Sequence, residues 1–315
     1  MTRLGRLLLA VLTAALSAAS PLIAQSPVKL RILVPQSTSA LPFLLIHSQG
    51  PTDGLEVSVE QFASHPQALA LLLKGDADLL LTGTSQGWEN RLDGSPLVMI
   101  DTGIWGISSL VVKDPSLKDF ADLKGKRIAL PFAGSPLDFQ TRAILSRLSM
   151  DPDRGVTISY GPFTQSMPLL MAGQLDAVAL PEPQATMMVR EQGLIRAETY
   201  AGAWAKATGD PESPQVSLFA TSAFASSHKA VITRLVDAWR KASAQVREKP
   251  DAAAEAFAST LSSTPEIMAE AARNTLFDVP DFKENKTRVM AYYGEVAPYF
   301  PAPRRPLDDA FFFIP

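Results

Sequence analysis

The sequence predicts an α/β protein made of two similar lobes, and three observations carry that expectation. Short apolar runs alternate with helix-like stretches, the pattern of a largely parallel sheet with covering helices. The pattern then restarts: "RILVPQSTSALPF" at Arg31–Phe43 is echoed by "RIALPFAGSPLDF" at Arg127–Phe139, identical at six of thirteen positions. Further on, Leu71–Gln86 and Leu169–Gln184 share Leu, Leu, Gly, Asp and Gln at an offset of 98, close to the 96 of the first pair. That period is too long for stacked units of about 20–50 residues. It suits two related lobes.

Taken in order, "LRILV", "LEVSVEQF" and "ADLLLTG" read as strands, with the helix "HPQALALLLKG" between the last two. "PLVMIDTG" and "ISSLVV" follow as strands. "SLKDFADLKGK" predicts a helix and a turn into the strand "RIALPF". In "SPLDFQTRAILSRLSM", Ser135 suits an N-cap, Pro136 the first turn, and Asp138 the capping-box position. "VTISY" is a strand, "TQSMPLLMAG" a helix and "LDAVAL" a strand. "GDPESPQ" reads as a polar linker into the strand "VSLFATSAF". The remainder is mainly helical, punctuated by Asp, Thr and Pro near helix starts and by Gly or Pro at breaks.

The first 24 residues have the layout of a cleaved secretory leader: Arg3 and Arg6, an apolar stretch Leu7–Ala19, then small residues to Ala24. The apolar stretch is short of the roughly 20 residues a spanning helix needs. The chain has no Cys, which excludes disulfides, thiolate metal sites, a Cys nucleophile and a lipoprotein anchor. An exported, freely diffusing protein of a Gram-negative periplasm is expected. Loss of Arg3 and Arg6 takes the formal charge from −3 to −5, and basic residues are scattered apart from Arg304-Arg305, so no nucleic-acid partner is expected.

In open α/β sheets, ligands bind beyond the carboxyl ends of the strands, where helices begin. The turns at those ends are rich in small polar residues. In the first half they hold Gln36, Ser37, Thr38, Ser39, Ser64, Thr84 and Ser85. In the second half they hold Gly134, Ser135, Thr164 and Glu182. Backbone N–H groups at helix starts favour anions or carbonyl oxygens, and hydroxyls add short donors. Each Ser or Thr alone reads first as an ordinary N-cap; as a set they suggest a polar cleft between the lobes. No Arg or Lys lies within these turns, so Glu182 and Asp138 are candidates to receive an amine or N–H. Trp105 is a candidate apolar wall, with Trp88 and Tyr160 as weaker versions. The differing residues of the repeat, Gln36-Ser37-Thr38 and Phe132-Ala133-Gly134, are expected to face one ligand from opposite sides.

A competing reading takes "GTSQG" as the nucleophile elbow of a secreted serine hydrolase, with Ser85 as nucleophile. His228 is the only downstream His and follows two serines at a helix start. His47, His65 and His228 lack metal-site spacing, and no phosphate-binding glycine motif occurs. No catalytic residue, metal or cofactor is expected.

"FADLKGKRIALPFAGSPLDFQTRAILSRLSMDPD" and "PLLMAGQLDAVALPEPQATMMVREQG" resemble periplasmic solute-binding proteins of ABC importers, of the nitrate/sulfonate/taurine and thiamine-precursor group. The matching features are the Asp122–Lys126 turn, Gly173–Ala177, and Glu182-Pro183; the "PRRPLDDAFFF" tail is similar too. The resemblance implies a type II periplasmic-binding-protein fold, two α/β lobes around a cleft with two crossover segments near Ser108–Lys113 and Gln215–Thr221. It places residues 27–110 plus 216–315 in lobe one and 111–215 in lobe two. It implies a small polar organic molecule or oxyanion as ligand, lobe closure on binding, delivery to a permease and ATPase, and a monomer. Ligand sensing without transport is the remaining alternative. The basic residue that oxyanion binders often place in the cleft has no counterpart in the turns.

Overall fold

The structure, a computed structural model, describes residues 26–300 and 307–315; the expected leader and the Arg304-Arg305 doublet lie outside them. The chain opens with β1 (Val28–Pro35), a 3-10 turn (Thr38–Ala40), α1 (Leu41–Ser48), β2 (Leu55–Phe62), α2 (His65–Lys74), β3 (Leu79–Gly83), α3 (Thr84–Leu92) and β4 (Leu97–Gly106). It continues with β5 (Ser108–Val112), β6 (Arg127–Leu130), α4 (Pro136–Arg147), β7 (Thr157–Tyr160), α5 (Phe163–Met171), β8 (Ala177–Pro181), α6 (Gln184–Gln192), β9 (Ile195–Thr199) and α7 (Tyr200–Thr208). Last come β10 (Val216–Thr221), α8 (Ser222–Ser227), α9 (Lys229–Glu248), α10 (Pro250–Phe257), α11 (Pro265–Arg273), β11 (Leu276–Phe277) and α12 (Phe282–Val296).

The strands form two sheets, ordered β11-β4-β10-β3-β1-β2 and β7-β6-β8-β5-β9. Each contains the same core: a parallel trio, β2-β1-β3 or β7-β6-β8, whose last member pairs antiparallel with a strand from elsewhere in the chain, β10 or β5. This is the two-sheet α/β architecture the repeat predicts. The repeated Arg explains part of the repeat physically. Arg31 donates to Asp78 and, at 2.7 Å, to the Gly75 carbonyl; Arg127 donates to Asp176 and, at 2.8 Å, to the Gly173 carbonyl. Gly75 and Gly173 both sit at positive φ, 86° and 72°, where a side chain would be strained. Each Arg thus ties its strand to the left-handed turn ahead of the neighbouring strand, away from the helix-start turns.

Three expectations needed correction. "SLKDFADLKGK" forms only a 3-10 turn at Phe120–Leu123, because the Asp119 and Asp122 carboxylates capture the Ala121 and Lys118 backbone donors. "VSLFATSAF" ends as a strand at Thr221, whose hydroxyl caps α8 by accepting from the Phe224 N–H. "GDPESPQ" is no loose linker: Ser213 and Gln215 are buried. The chain passes from the first sheet to the second at Ile107 and returns through residues 209–215. There the Gln215 backbone N–H donates to the Ile104 carbonyl, its side-chain oxygen accepts from the Ile107 N–H at 2.8 Å, and Ser213 donates to the Trp105 carbonyl. The two crossings are therefore one hydrogen-bonded unit.

The helical C-terminal part covers the first sheet. Along α9, Ile232, Leu235, Val236, Trp239, Ala242 and Val246 are buried at helical spacing. Trp239 packs on Phe43 and lies so close to β4 that a Cβ on Gly103 would meet it at 2.0 Å. The α12 helix reaches further. Tyr292 lies 4.7 Å from Trp204 and stacks on Trp88, while Phe300, just beyond the helix, lies 4.1 Å from Phe139. Aromatic rings from both sheet units thus share one core. No helix among the described residues is long and apolar enough to cross a membrane.

Asp101 on β4 is fully buried; Oδ1 accepts from Thr102 N–H, and Oδ2 finds no hydrogen-bond partner among the described residues. Burial pushes this carboxyl well above its ordinary range. Its stabilising contribution is therefore complete below the unfolded-state value and is lost as pH rises through the raised one. Asp101→Asn keeps the acceptor and removes the charge. It is expected to match the parent near pH 4 and to exceed it at pH 8 by about 1 kcal/mol, about 2–4 °C in melting temperature. A lower melting point for the variant at pH 8 would refute this.

Candidate functional site

The helix-start turns of the two sheets meet in pairs. Ser85, at the start of α3, donates its hydroxyl to the Gly134 carbonyl in the turn after β6 at 3.1 Å. Thr38, in the turn after β1, approaches the Glu182 carbonyl after β8 with its N–H at 3.5 Å. Under the sequence offsets Thr38 corresponds to Gly134, and Ser85 to Pro183, next to Glu182. The seam is thus reciprocal, as in a pseudo-two-fold contact: the first turn of each unit meets the third-strand turn of the other.

Beside the Ser85–Gly134 contact lies a cavity of about 280 Å³. The first-sheet unit supplies His65, Thr82, Gln86, Glu89 and Asn90 over an apolar floor of Leu69, Leu80, Leu97 and Phe219. The second supplies Phe132 and Ala133. A few polar groups converging over an apolar floor is the usual make-up of a small-molecule site. His65 Nδ1 lies 2.7 Å from the Thr82 hydroxyl, and Gln86 Oε1 lies 3.2 Å from both that hydroxyl and the Gly83 N–H. Burial lowers the His65 pKa to about 4, so the ring is neutral at pH 7. Gly87 makes room for the floor, since a Cβ there would meet the Phe219 ring at 2.0 Å.

The Thr38–Glu182 side holds a buried ion pair. Glu182, fully buried, lies 2.6 Å from the guanidinium of Arg196 on β9, and its other oxygen accepts from the Thr186 N–H. Arg196 also donates to the Ser109 and Thr186 hydroxyls. Burial pushes the Glu182 carboxyl upward, with Arg196 pulling the other way. Asn274 reaches the same Thr186 hydroxyl from the end of α11, and Arg190 on α6 pairs with Glu270 on α11.

The sequence candidates fall around these features. Gln36 is exposed and donates to Ser262. Ser37 and Ser39 share a hydrogen bond, and Thr38 bonds Thr275. Thr84 turns into the sheet toward Ser217, and Ser135 caps α4 by accepting from Asp138 N–H. Asp138 is occupied by Gly134 N–H, Arg142 and the Tyr160 hydroxyl. Ser64 precedes α2 without a side-chain cap, and Thr164 is exposed on α5. Trp105 is buried, donates to the Asp278 carbonyl and carries Arg288 at 3.7 Å over its ring. None of the twelve candidates lines the 280 Å³ cavity; its walls include their chain neighbours His65, Gln86 and Ala133. Ser85 lies inside α3 in ordinary helical backbone rather than on a strained elbow, and its hydroxyl points to Gly134. His228 is tied to Ser227 and Phe224. Among the described residues no group of three or more His, Cys, Asp or Glu side chains is placed to hold a metal.

The NMT1/THI5-like family model matches residues 51–253. No curated protein matches. Among solved structures, the periplasmic aliphatic sulphonate binding protein SsuA from Escherichia coli is similar over 87% of both chains, with 19% identity and TM-score 0.70. The periplasmic nitrate-binding protein NrtA from Synechocystis is similar over 88% of this chain and 83% of its own, with 14% identity and TM-score 0.67. A Candida albicans protein described as having the generic periplasmic binding protein fold is similar over 90% of this chain and 93% of its own, with 15% identity and TM-score 0.65. At these identities the likeness establishes the fold.

Proposed function

The chain belongs to the NMT1/THI5-like family, and from that premise we propose that it is an exported solute-binding protein. It captures a small polar organic molecule between its sheets and hands it to the permease and ATPase of an ABC importer. Residues 27–107 with 216–315 form one lobe and 108–215 the other, with α12 straddling both; the boundary lies before β5 rather than at the expected 110, because Ser108–Leu110 pair with β8 and β9. The leader is removed, and the protein works in the periplasm as a monomer without chemistry of its own. The observation that carries this reading is the reciprocal seam, Ser85 to Gly134 and Thr38 to Glu182, with a lined cavity beside it. Groups from both units wall that cavity, so a ligand there gains contacts only when the units are together, and its differential affinity drives closure. The sulphonate- and nitrate-binding names of the structural neighbours support a binding role.

A ligand at about 100 times its Kd adds about 2.7 kcal/mol of stability, about 5–10 °C in melting temperature. A thermal-shift screen of periplasmic metabolites, with mass spectrometry of material co-purified with the protein, is expected to find at least one such compound. No shift from any metabolite at millimolar concentration would refute the reading.

A further inference from the structure

The hydrogen bonds behind His65 determine which of its ring nitrogens carries the hydrogen. The Gly83 peptide N–H is a donor only, so at 3.2 Å it fixes the oxygen of the Gln86 amide toward itself. That is the back-bond of a helix N3 residue to the N-cap. The Thr82 hydroxyl lies 3.2 Å from the same oxygen, so its single hydrogen points there. The Thr82 oxygen, 2.7 Å from His65 Nδ1, is then the acceptor of that contact. Nδ1 therefore carries the ring hydrogen, and Nε2 is a bare lone pair with no partner among the described residues. The amides beside it carry both kinds of group: one Asn90 N–H donates to the Gln86 carbonyl at 2.7 Å, which leaves its other N–H and its oxygen, and the Gln86 oxygen is tied back, which leaves its N–H₂. No Lys or Arg belongs to the lining among the described residues.

Resting on the solute-binding reading, we propose that His65 Nε2 is a specificity-determining acceptor. The cavity takes a small organic ligand that presents an N–H or O–H to it and rejects sulfonate- or nitrate-type oxyanions there. An oxyanion offers only lone pairs, which would face another lone pair. A site built to accept a ligand hydrogen discriminates strongly against the analogue lacking it. The low His65 pKa supports this, since the ring does not gain a second hydrogen near neutral pH to become a donor at Nε2.

The first test needs no ligand. Long-range ¹H–¹⁵N spectra at pH 7, with His65 assigned by comparison with His65→Gln, are expected to show protonated Nδ1 and bare Nε2. The opposite tautomer, or a doubly protonated ring, overturns the proposal. The second test uses benzamide and benzenesulfonate, which share a ring and differ in the donor. Benzamide is expected to shift the His65 Nε2 resonance and bind at least about tenfold tighter than the sulfonate. His65→Phe and Thr82→Val are each expected to shrink that preference below about threefold, Thr82→Val by freeing the tautomer. Equal affinity, a preference for the sulfonate, or no response of His65 to either probe overturns the proposal. The solute-binding reading fails on a different result, the absence of any stabilising metabolite.

Discussion

Arg196→Met is expected to lower the unfolding free energy by about 3–5 kcal/mol at pH 7, because it leaves the Glu182 carboxylate buried without its counter-charge. Attraction within a buried pair largely offsets desolvation; the large cost appears when one partner goes. The double variant Arg196→Met/Glu182→Gln removes both charges, and its amide oxygen still accepts from the Thr186 N–H. It is expected to recover most of the loss, with a coupling energy of at least about 2 kcal/mol in a double-mutant cycle. The pH dependence has a definite sign. Burial already raises the Glu182 carboxyl, and losing Arg196 raises it further. The deficit of the single variant is therefore largest near pH 8 and shrinks toward pH 4, where protonation removes the stranded charge. Urea melts at both pH values test this. A single-variant cost below 1 kcal/mol, or additive effects in the cycle, would refute it. The pair also bears on ligand choice: Arg196 neutralises Glu182, so this carboxylate is not offered to a ligand amine, and Arg196 is not a free cation for an oxyanion.

The architecture was readable because it is written twice. The repeated Arg, Gly and Asp of each half make the same strand-to-turn clamp, so the identical letters report construction. What remained hidden depends on contacts distant in sequence. The turns contain no basic residue, and the one that matters, Arg196, sits on β9, an edge strand whose polar "IRAET" lacks the apolar run of the buried strands. Its partner lies fourteen positions earlier, so no local spacing marks it. The cavity wall stands single steps along the chain from the turn residues. Ser64, Ser85 and Gly134 are the small turn residues, whereas His65, Gln86 and Ala133 beside them form the wall. Which neighbour points inward depends on helix phase at the first turn, and a one-residue change there rotates a side chain by about 100°. Phe132 and Ala133, expected from the mismatched letters of the repeat, do line the cavity. Gln36 in the other copy reaches Ser262 instead.

The largest change in meaning concerns "GDPESPQ", whose composition reads as a linker and whose last residue is a structural hub. Gln215→Leu is expected to cost about 2–6 kcal/mol, since two buried groups lose their partners at about 1–3 kcal/mol each. They are the Ile107 N–H, bonded to Gln215 Oε1 at 2.8 Å, and Gln140 Oε1 on α4, which accepts from Gln215 Nε2 at 2.8 Å. Leu has similar bulk, so the loss measures hydrogen bonds rather than a cavity. Adding Gln140→Leu removes one stranded acceptor and is expected to restore about 1 kcal/mol or more, whereas the Ile107 N–H stays unsatisfied in both variants. Because Ile107 lies in one crossing, Gln215 in the other and Gln140 in a helix of the second unit, the same substitution loosens the geometry through which the units meet. The stabilisation by ligand should therefore fall along with the melting temperature. Denaturation by urea, with and without the metabolite found by the screen, checks both parts. A Gln215→Leu protein within 1 kcal/mol of the parent would mean that the crossings hold together without this side chain.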